Sequence, residues 1–485
     1  MRYSEFMSDD KKELDALKAK LGLISAKDIA SKPETGHTRP RPQTHGTSEP
    51  KEGGLLSSAM AQQLRARLGL NTESAPSASP PPDTHPDATA TPIETVVDGA
   101  CVGDETSSFF CMRKHYPLDY LIGDIPLSAA LKCTGKEIAL SACDDTLLGF
   151  DSKRACFMDT ETTGLAGGTG TVAFLVGMGY FSETSFVLEQ CFLRDYDDEP
   201  AMLEYLAERL ADVTTVVSYN GKSFDLPLLR TRFVQHRTPF PLEGAGHYDL
   251  VHAVRRVWKK RLQNCSLGNI EKEVLGLRRH GDVPGFLIPQ LWLNYLDTRD
   301  ARPLAPVFYH HEMDILSLVA LAGHLTQVLS AKDGASLRHA EDQLSVVRLY
   351  FKNKQYEEAI AEAQRFLDAS RIPDALRREC FALLGQACKR AGHFEDMAGT
   401  WTQMHEEFPG DPFAAAELAK YREHQQRDYA AAILICKETL AILEAEGMPG
   451  DFSVSALRGR LARLERKQAR LTEKYGDNDS FLTRD

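Results

Sequence analysis

Hydrophobic residues are spread unevenly along the chain, and their spacing changes twice. Before about residue 105 aliphatic side chains are scarce, and ten of the 24 prolines lie within the first 100 residues. Segments with so few aliphatic side chains cannot bury enough surface to offset the entropy lost on ordering. We therefore predict that residues 1–105 form a largely disordered region rich in Pro, Ser and Thr.

Two short leucine-containing segments interrupt this region. Leu14, Leu17 and Leu21 share one face of a predicted helix. Leu64 and Leu68 do the same in a second segment, and both segments have the pattern Leu-x-Ala-x-Leu-Gly-Leu. The two weak helices resemble each other by coincidence, or they are a duplicated docking motif whose leucines fill a groove on a protein partner.

The sequence is typical of a globular protein from about residue 106 onward. Residues 106–150 contain the apolar runs HYPLDYLIGDIPLSA and KEIALSACD, which we interpret as short strands leading into the next domain. Residues 151–330 alternate apolar runs of strand length with segments of helical spacing, and a long helix begins near His310. This order of elements predicts an α/β domain over residues 151–330.

Strand-like runs disappear beyond residue 340. There, an aromatic residue followed three positions later by a small or medium residue recurs at intervals of 38 and 35 residues. These intervals are close to the ~34 residues of a tetratricopeptide unit. The aligned pairs are Tyr356 with Ala359, Phe394 with Met397, and Tyr429 with Ala432. We predict an all-α solenoid of such repeats over residues 340–445, although an unrelated helical bundle has the same pattern, and a basic helical tail over residues 446–485.

Composition and charge narrow the class of protein. The chain has 57 Lys+Arg against 69 Asp+Glu, a formal net charge of −12, which excludes an overall basic nucleic-acid-binding protein but not local basic patches. Its ten cysteines include no C-x-x-C pair, which argues against a zinc ribbon or a disulfide framework and favours a reducing compartment. No run approaches the ~18 uninterrupted apolar residues of a membrane span, and the N-terminus lacks the apolar core of a secretory signal. We expect a soluble cytoplasmic protein of more than one domain, without a membrane partner.

Acidic residues follow two of the predicted strands. Asp159 and Glu161 are two positions apart directly after an apolar run, so both carboxylates project to the same side. Two carboxylates this close are stable only with a cation between them, and hard oxygen ligands favour Mg²⁺ or Mn²⁺. Asp225 follows the later predicted strand TTVVSYN at a strand-to-helix junction, where it can cap the helix and also lie at the same edge of the sheet.

A third acidic position belongs to the long predicted helix. His310 and Asp314 are four residues apart and therefore share one helical face, which apolar Leu318 and Leu321 continue toward the interior. Taken alone, such a pair is typical of a structural hydrogen bond.

Together, the order D-x-E … N-x-x-x-F-D … H-x-x-x-D resembles that of the DEDD exonucleases of the ribonuclease H-like superfamily. More closely, the sequence is similar to the YprB family of predicted exonuclease domains joined to tetratricopeptide repeats. The similarity covers about residues 106–325, and about 106–445 with the repeats. It is strongest in DTETTGLAGGTGTVAFLVGMGYF, YNGKSFDLPLLRTR, DLVHAVRRVWKKRLQNCSLGNIEKEVLGLRR, DVPG and HHEMDILSL. It implies a ribonuclease H-like α/β domain, with a mixed central sheet flanked by helices, before the helical repeats.

The resemblance implies a 3′–5′ exonuclease that hydrolyses single-stranded DNA or RNA with two Mg²⁺ or Mn²⁺ ions. The implied metal ligands, which are also catalytic residues, are Asp159, Glu161, Asp225 and Asp314. His310 would accept the proton of the attacking water. The wider superfamily spaces this motif as H-x4-D or Y-x3-D, so Tyr309, His310 and His311 are all candidates for the base. Asp249 and Asp282 match acidic positions of the family without a derivable role.

Residues around these motifs are candidates for binding the substrate: Thr162, Gly164, Leu165, Asn220, Phe224, Arg255, Arg256 and Lys259. The glycine-rich stretch from Gly164 lets the backbone approach a terminal nucleotide closely, or it is a flexible hairpin turn. The basic cluster around Trp258 suits phosphates and base stacking, or it is the solvated face of a helix whose tryptophan lies in the core.

Two functions fit the sequence. An active exonuclease is favoured, because all five expected catalytic positions are filled. The alternative is a catalytically inactive nucleic-acid-binding module whose repeats recruit a protein partner.

Overall fold

The computed structural model describes residues 90–164, 170–330, 337–369, 371–447 and 452–476. Both leucine-containing segments, and the rest of the predicted disordered region before residue 90, lie outside the described residues. All described residues belong to one compact unit.

The described strands form one large sheet and one small hairpin. In chain order they are β1 (Ala100–Gly103), β2 (Ser108–Pro117), β3 (Leu121–Ile122), β4 (Ile125–Pro126), β5 (Ala155–Thr162), β6 (Ala173–Phe181), β7 (Ser185–Phe192), β8 (Thr215–Ser218) and β9 (Gly246–Asp249). The seven-stranded sheet has the order β1-β2-β7-β6-β5-β8-β9, while β3 pairs with β4. Strand β5 runs antiparallel to β6 and parallel to β8, and β9 is parallel to β8. This mixed sheet confirms the predicted fold class.

Seven helices accompany the sheet in the described residues between 135 and 330. They are α1 (Gly135–Ala142), α2 (Glu199–Leu210), α3 (Asp225–Gln235), α4 (Leu250–Trp258), α5 (Leu267–Ile270), α6 (Ile288–Thr298) and α7 (Ala305–Ser330). A π-helical turn, Glu271–Leu275, follows α5 directly. The long predicted helix is α7, which contacts β5, β6 and β7.

Helix α7 lies very close to the sheet because strand β6 has a glycine beneath it. A Cβ atom at Gly177 would lie 2.4 Å from the imidazole of His311 and 2.2 Å from Ile315 Cδ1. Gly177 pairs with Asp159 of β5, so this close approach brings the N-terminal half of α7 beside the predicted acidic pair. Residues 302–330 are apolar and long enough to cross a membrane, but 78% of their most apolar window is buried within the protein.

Two local elements differ from the sequence-based expectation. The segment KEIALSA, expected to be a strand, is helix α1, which buries Ile138, Ala139 and Leu140. Strand β9 was not anticipated, because Gly246–Asp249 has no apolar alternation and is fixed by its pairing with β8. The residues preceding α1 contribute β1 and β2, which extend the sheet beyond β7. Strand β1 lies within the region predicted to be largely disordered, and its pairing with β2 orders residues 100–103 there.

The region beyond residue 339 is entirely helical where it is described. Its helices are α8 (Ala340–Lys352), α9 (Tyr356–Asp368), α10 (Asp374–Ala391), α11 (Phe394–Glu407), α12 (Pro412–Tyr421), α13 (Tyr429–Ala445) and α14 (Phe452–Gly476). Consecutive helices pack against one another, and the three aligned aromatic residues are the first residues of α9, α11 and α13. The helical region is confirmed, while its assignment to tetratricopeptide repeats stays a prediction.

Cations of the basic tail are engaged within the protein. Arg460, Arg463 and Lys467 of α14 bond to the buried carboxylate of Glu423 at 2.9, 2.7 and 2.6 Å. These ion pairs attach α14 to the preceding helices.

Candidate catalytic and metal-binding site

Four carboxylates from three distant segments meet at one edge of the sheet. Asp159 and Glu161 lie at the end of β5, and Asp225 begins α3 in the segment that follows β8. Because β5 and β8 are parallel neighbours, their carboxyl ends reach the same edge. Asp314 comes from α7, which packs against this part of the sheet.

Asp225 faces the acidic pair and does not cap its helix. Helix α3 begins at Asp225 itself, the N-cap position belongs to Phe224, and no side chain caps the helix. The Asp225 carboxylate instead accepts a hydrogen bond from the hydroxyl of Thr160, which lies between Asp159 and Glu161 on β5. The predicted capping role was therefore wrong, whereas the predicted location at the sheet edge is observed.

Glu161, His310 and Asp314 form a compact group. His310 Nε2 lies 3.4 Å from Asp314 Oδ2 and 4.0 Å from Glu161 Oε1. One ligand atom from each of the three residues can be chosen so that all lie within 4.8 Å of one another, as in a group that binds a metal ion. The cluster therefore has both the spacing and the donor atoms of a cation site.

The electrostatics of the cluster also fit a divalent cation. Burial, together with the charges of Asp314, Asp225 and Glu161, raises the pKa of Asp159 well above its usual value. Burial and the charge of Asp314 raise the pKa of Glu161 to about 8. Burial also raises the pKa of Asp225. These carboxylates repel one another in a poorly solvated place, and their oxygen donors suit a hard ion such as Mg²⁺ or Mn²⁺.

An arginine that the sequence analysis missed neutralises part of this charge. The nearly buried guanidinium of Arg279 bonds to the carboxylates of Asp314 and Glu271, the latter at 2.8 Å from Nε to Oε2. It also lies 3.3 Å from Asp282 Oδ2 and from the carbonyl oxygen of His310. The only sequence signal was its place in the family-like segment ending in GLRR, because an arginine in an irregular segment follows no periodicity.

Asp282 is a second residue whose role sequence analysis did not find. Its Oδ1 accepts a hydrogen bond from His310 Nδ1 at 2.7 Å, which leaves Nε2 pointing toward Glu161 and Asp314. Burial lowers the pKa of His310, but the hydrogen bond to Asp282 and the surrounding carboxylates outweigh it, so the pKa is raised. The same hydrogen bond helps to lower the pKa of Asp282 against the opposing effect of burial.

The two neighbouring candidates for the base are placed differently. His311 is fully buried, and its Nε2 donates to the carbonyl oxygen of Asp159 at 3.0 Å. Its Nδ1 accepts from the side chain of Gln190 at 2.8 Å, and burial lowers its pKa to about 4. Tyr309 packs as a partly buried ring against the apolar core. Of the three, His310 is the side chain that reaches toward Glu161 and Asp314.

Several predicted substrate-binding residues lie around the carboxylates. Thr162 donates to the carbonyl oxygen of Gly164 at 3.1 Å, and the position of a Cβ at Gly164 is open. Phe224, immediately before Asp225, exposes 51% of its surface, which suits stacking on a base. Leu165 lies outside the described residues.

The loop that carries Asn220 is held by Asp249. Asn220 adopts a left-handed conformation (φ 70°), and its N–H donates to Asp249 Oδ1 at 2.7 Å. The same carboxylate accepts from the N–H of Lys222 at 3.1 Å and caps α4 through Val251. Asp249 is therefore a structural anchor for the segment before Asp225.

The predicted basic cluster separates into two groups. Arg255 and Lys259 line an open cavity beside Asn220. Arg256 instead donates to the carbonyl oxygen of Ser141 at 2.9 Å. Lys260 and Arg261 pair with Glu379 and Asp342 of the helical region, at 2.6 and 2.7 Å. Trp258 is buried and stacked on His324, so its ring is not available to a base, as the alternative interpretation proposed.

The stability of the metal-free protein is expected to depend on pH. Because the pKa of Glu161 is raised from 4.5 to about 8, the folded state binds more protons than the unfolded chain between these values. The free energy of unfolding therefore decreases as pH rises through this range, by up to roughly 1.4 kcal/mol for each unit of pKa shift. In EDTA, the melting temperature should fall as the pH is raised through this range. Mg²⁺ or Mn²⁺ should raise the melting temperature again, most strongly at the alkaline end of the range.

The variant Glu161→Gln provides the control for this prediction. It should flatten the pH dependence in EDTA and reduce the stabilisation by metal. An unchanged slope in this variant would show that Glu161 is not the group responsible.

Comparison with known proteins agrees with this geometry. Residues 156–326, which include all four carboxylates, match the sequence model of the RNase_H superfamily. The chain is also 33% identical over 323 residues to YprB, an uncharacterized protein of Bacillus subtilis (strain 168). That similarity covers 66% of this chain and 76% of YprB.

Proposed function

Because the chain belongs to the same family as Bacillus subtilis YprB and has a domain of the ribonuclease H superfamily, which includes nucleases, we propose that it is a metal-dependent 3′–5′ exonuclease acting on single-stranded nucleic acid. The observation that carries the proposal is the convergence of Asp159, Glu161, Asp225 and Asp314 from three distant segments. His310 lies beside two of them, Glu161 and Asp314. A purely structural role leaves uncompensated the part of this mutual repulsion that Arg279 does not neutralise.

The four carboxylates are the groups that would hold two Mg²⁺ or Mn²⁺ ions. Divalent ions bound there supply Lewis-acid stabilisation of a phosphodiester oxygen and lower the pKa of a bound water. Thr160 fixes the orientation of Asp225, and Arg279 fixes that of Asp314. The protein thus prepares the geometry of these two ligands through bonds to their carboxylates, which is how outer partners support a metal centre.

His310 is the proposed general base. With its Nδ1 proton held by Asp282, the Nε2 atom is the free acceptor for the proton of the attacking water. Asp282 also stabilises the imidazolium that forms, so it is a positioning residue for His310. Because the pKa of His310 is raised, the imidazolium retains that proton until it is transferred to the leaving oxygen.

Digestion of single-stranded DNA and RNA oligomers, labelled separately at the 3′ and 5′ ends, tests the proposal. With Mg²⁺ or Mn²⁺ the 5′-labelled oligomer should shorten stepwise, the 3′ label should be released first, and EDTA should stop both. Intact oligomers that nevertheless shift on a native gel would support the alternative of an inactive binding module. Internal fragments from the outset would contradict the exonuclease assignment.

A further inference from the structure

We propose that the cavity lined by Arg255 and Lys259 binds the phosphodiester backbone of the substrate strand at a distance from the bond cleaved. The preferred substrate is then an extended single strand, and a dinucleotide is a poor one. This inference rests on the proposed function, because it takes the carboxylate cluster as the place of cleavage.

The cavity adjoins the carboxylate cluster. One cavity of about 460 Å³ is lined by Arg279, Asp282, His310 and Asp314, and its wall includes Leu267. The second cavity, of about 710 Å³, also has Leu267 in its wall. The two openings therefore lie side by side, with Leu267 between them, and a flexible strand can occupy both.

The two cations in the second cavity differ from the other members of the basic cluster, whose side chains are bonded elsewhere in the protein. Arg256, Lys260 and Arg261 are bonded to Ser141, Glu379 and Asp342. Neither Arg255 nor Lys259 has an ion pair with any described residue. Four positions apart at the C-terminal end of α4, they present two positive charges on one helical face.

The rest of the lining suits a phosphate backbone. It does not suit a cation, which would need carboxylate ligands. None of the described lining residues is Asp or Glu. The polar side chains of the lining other than Arg255 and Lys259 are uncharged: Tyr219, Asn220, Gln263, Asn264 and Ser266. In a chain with a net charge of −12, a cavity with two cations and no acid is a local site for an anion. Phosphates contacted by Lys and Arg supply most of the affinity for single strands without specifying sequence.

The test compares the full chain with a double variant, Arg255→Ser/Lys259→Ser. Binding of a single strand of about ten nucleotides is measured in EDTA by fluorescence anisotropy across a salt series. Loss of two phosphate contacts should weaken binding at least about tenfold near 0.1 M salt. It should also make the negative slope of log K against log salt concentration shallower by about 1.4. In the presence of Mg²⁺, the KM of the unmodified chain should fall as the oligomer is lengthened, and this dependence should be lost in the double variant.

A matched control removes the same charge elsewhere. Lys352 and Arg390 are exposed cations of the helical region, and Lys352→Ser/Arg390→Ser should leave binding and the length dependence unchanged. Equal losses in both double variants, or none in the first, would overturn the inference even if the chain hydrolyses oligomers. Loss of binding in the first variant alone, in a chain that hydrolyses nothing, would keep the binding site and reject the exonuclease.

Discussion

Replacing Asp159 by Asn is expected to abolish hydrolysis while leaving the protein folded. Asp159 belongs to the carboxylate cluster, since the charges of Asp314, Asp225 and Glu161 all raise its pKa. Removal of its charge weakens divalent-ion binding, and the several kcal/mol of transition-state stabilisation that the ions supply are lost with them. Since each 1.36 kcal/mol is a factor of about ten, we expect the rate to fall on the order of 10³-fold or more.

The same substitution should not destabilise the metal-free protein. Asn keeps the shape of the side chain and removes a buried charge that three neighbouring carboxylates repel, so the melting temperature in EDTA at alkaline pH should be equal or higher. The matched control is Asp297→Asn, which makes the same chemical change at an exposed position of α6 and should leave activity and stability unchanged. Residual metal-dependent hydrolysis by purified Asp159→Asn would contradict the assignment of the site.

Replacing His310 by Asn is expected to lower kcat by about 10²- to 10⁴-fold, the usual contribution of a positioned general base. His310 Nε2 is directed toward Glu161 and Asp314, whereas His311 is enclosed between Asp159 and Gln190. The exposed His252 is a control for the chemical change, and His252→Asn should retain normal rates. Unchanged turnover in His310→Asn would show that another group accepts the proton.

Asp282→Asn separates positioning from catalysis. Asp282 raises the pKa of His310, so its neutral replacement should lower that pKa. A base works only when deprotonated, and the rise of kcat/KM with pH should therefore move to lower pH, with a smaller loss of rate than in His310→Asn. A uniform loss of rate with an unmoved pH profile would indicate that Asp282 has only a structural role.

Much of the acidic site was predictable because its residues follow regular elements. Asp159 and Glu161 share a side by the two-residue period of a strand, and His310 and Asp314 share a helical face by the four-residue spacing. The resemblance to a known family joined these positions to Asp225. The expected capping role of Asp225 failed because the Thr160 hydroxyl, brought by a neighbouring strand, competes for its carboxylate.

Contacts between residues that are far apart in the sequence could not be predicted from the sequence. Arg279 and Asp282 lie outside the regular helices and strands, and only the packing of α7 brings them to His310 and Asp314. Lys260 and Arg261, just beyond the end of α4, were visible as basic residues, but their partners Glu379 and Asp342 lie 119 and 81 residues further along the chain. Strand β9 and helix α1 were missed for a related reason, since short segments take their conformation from their neighbours.

The central claim is that the carboxylates of three distant segments bind divalent ions together. A crystal structure of the protein with Mn²⁺, with anomalous scattering recorded at the manganese edge, tests it most directly. We predict two peaks about 4 Å apart, in contact with Asp159, Glu161, Asp225 and Asp314. No peak among these residues, or peaks that persist unchanged in Asp159→Asn, would contradict the account.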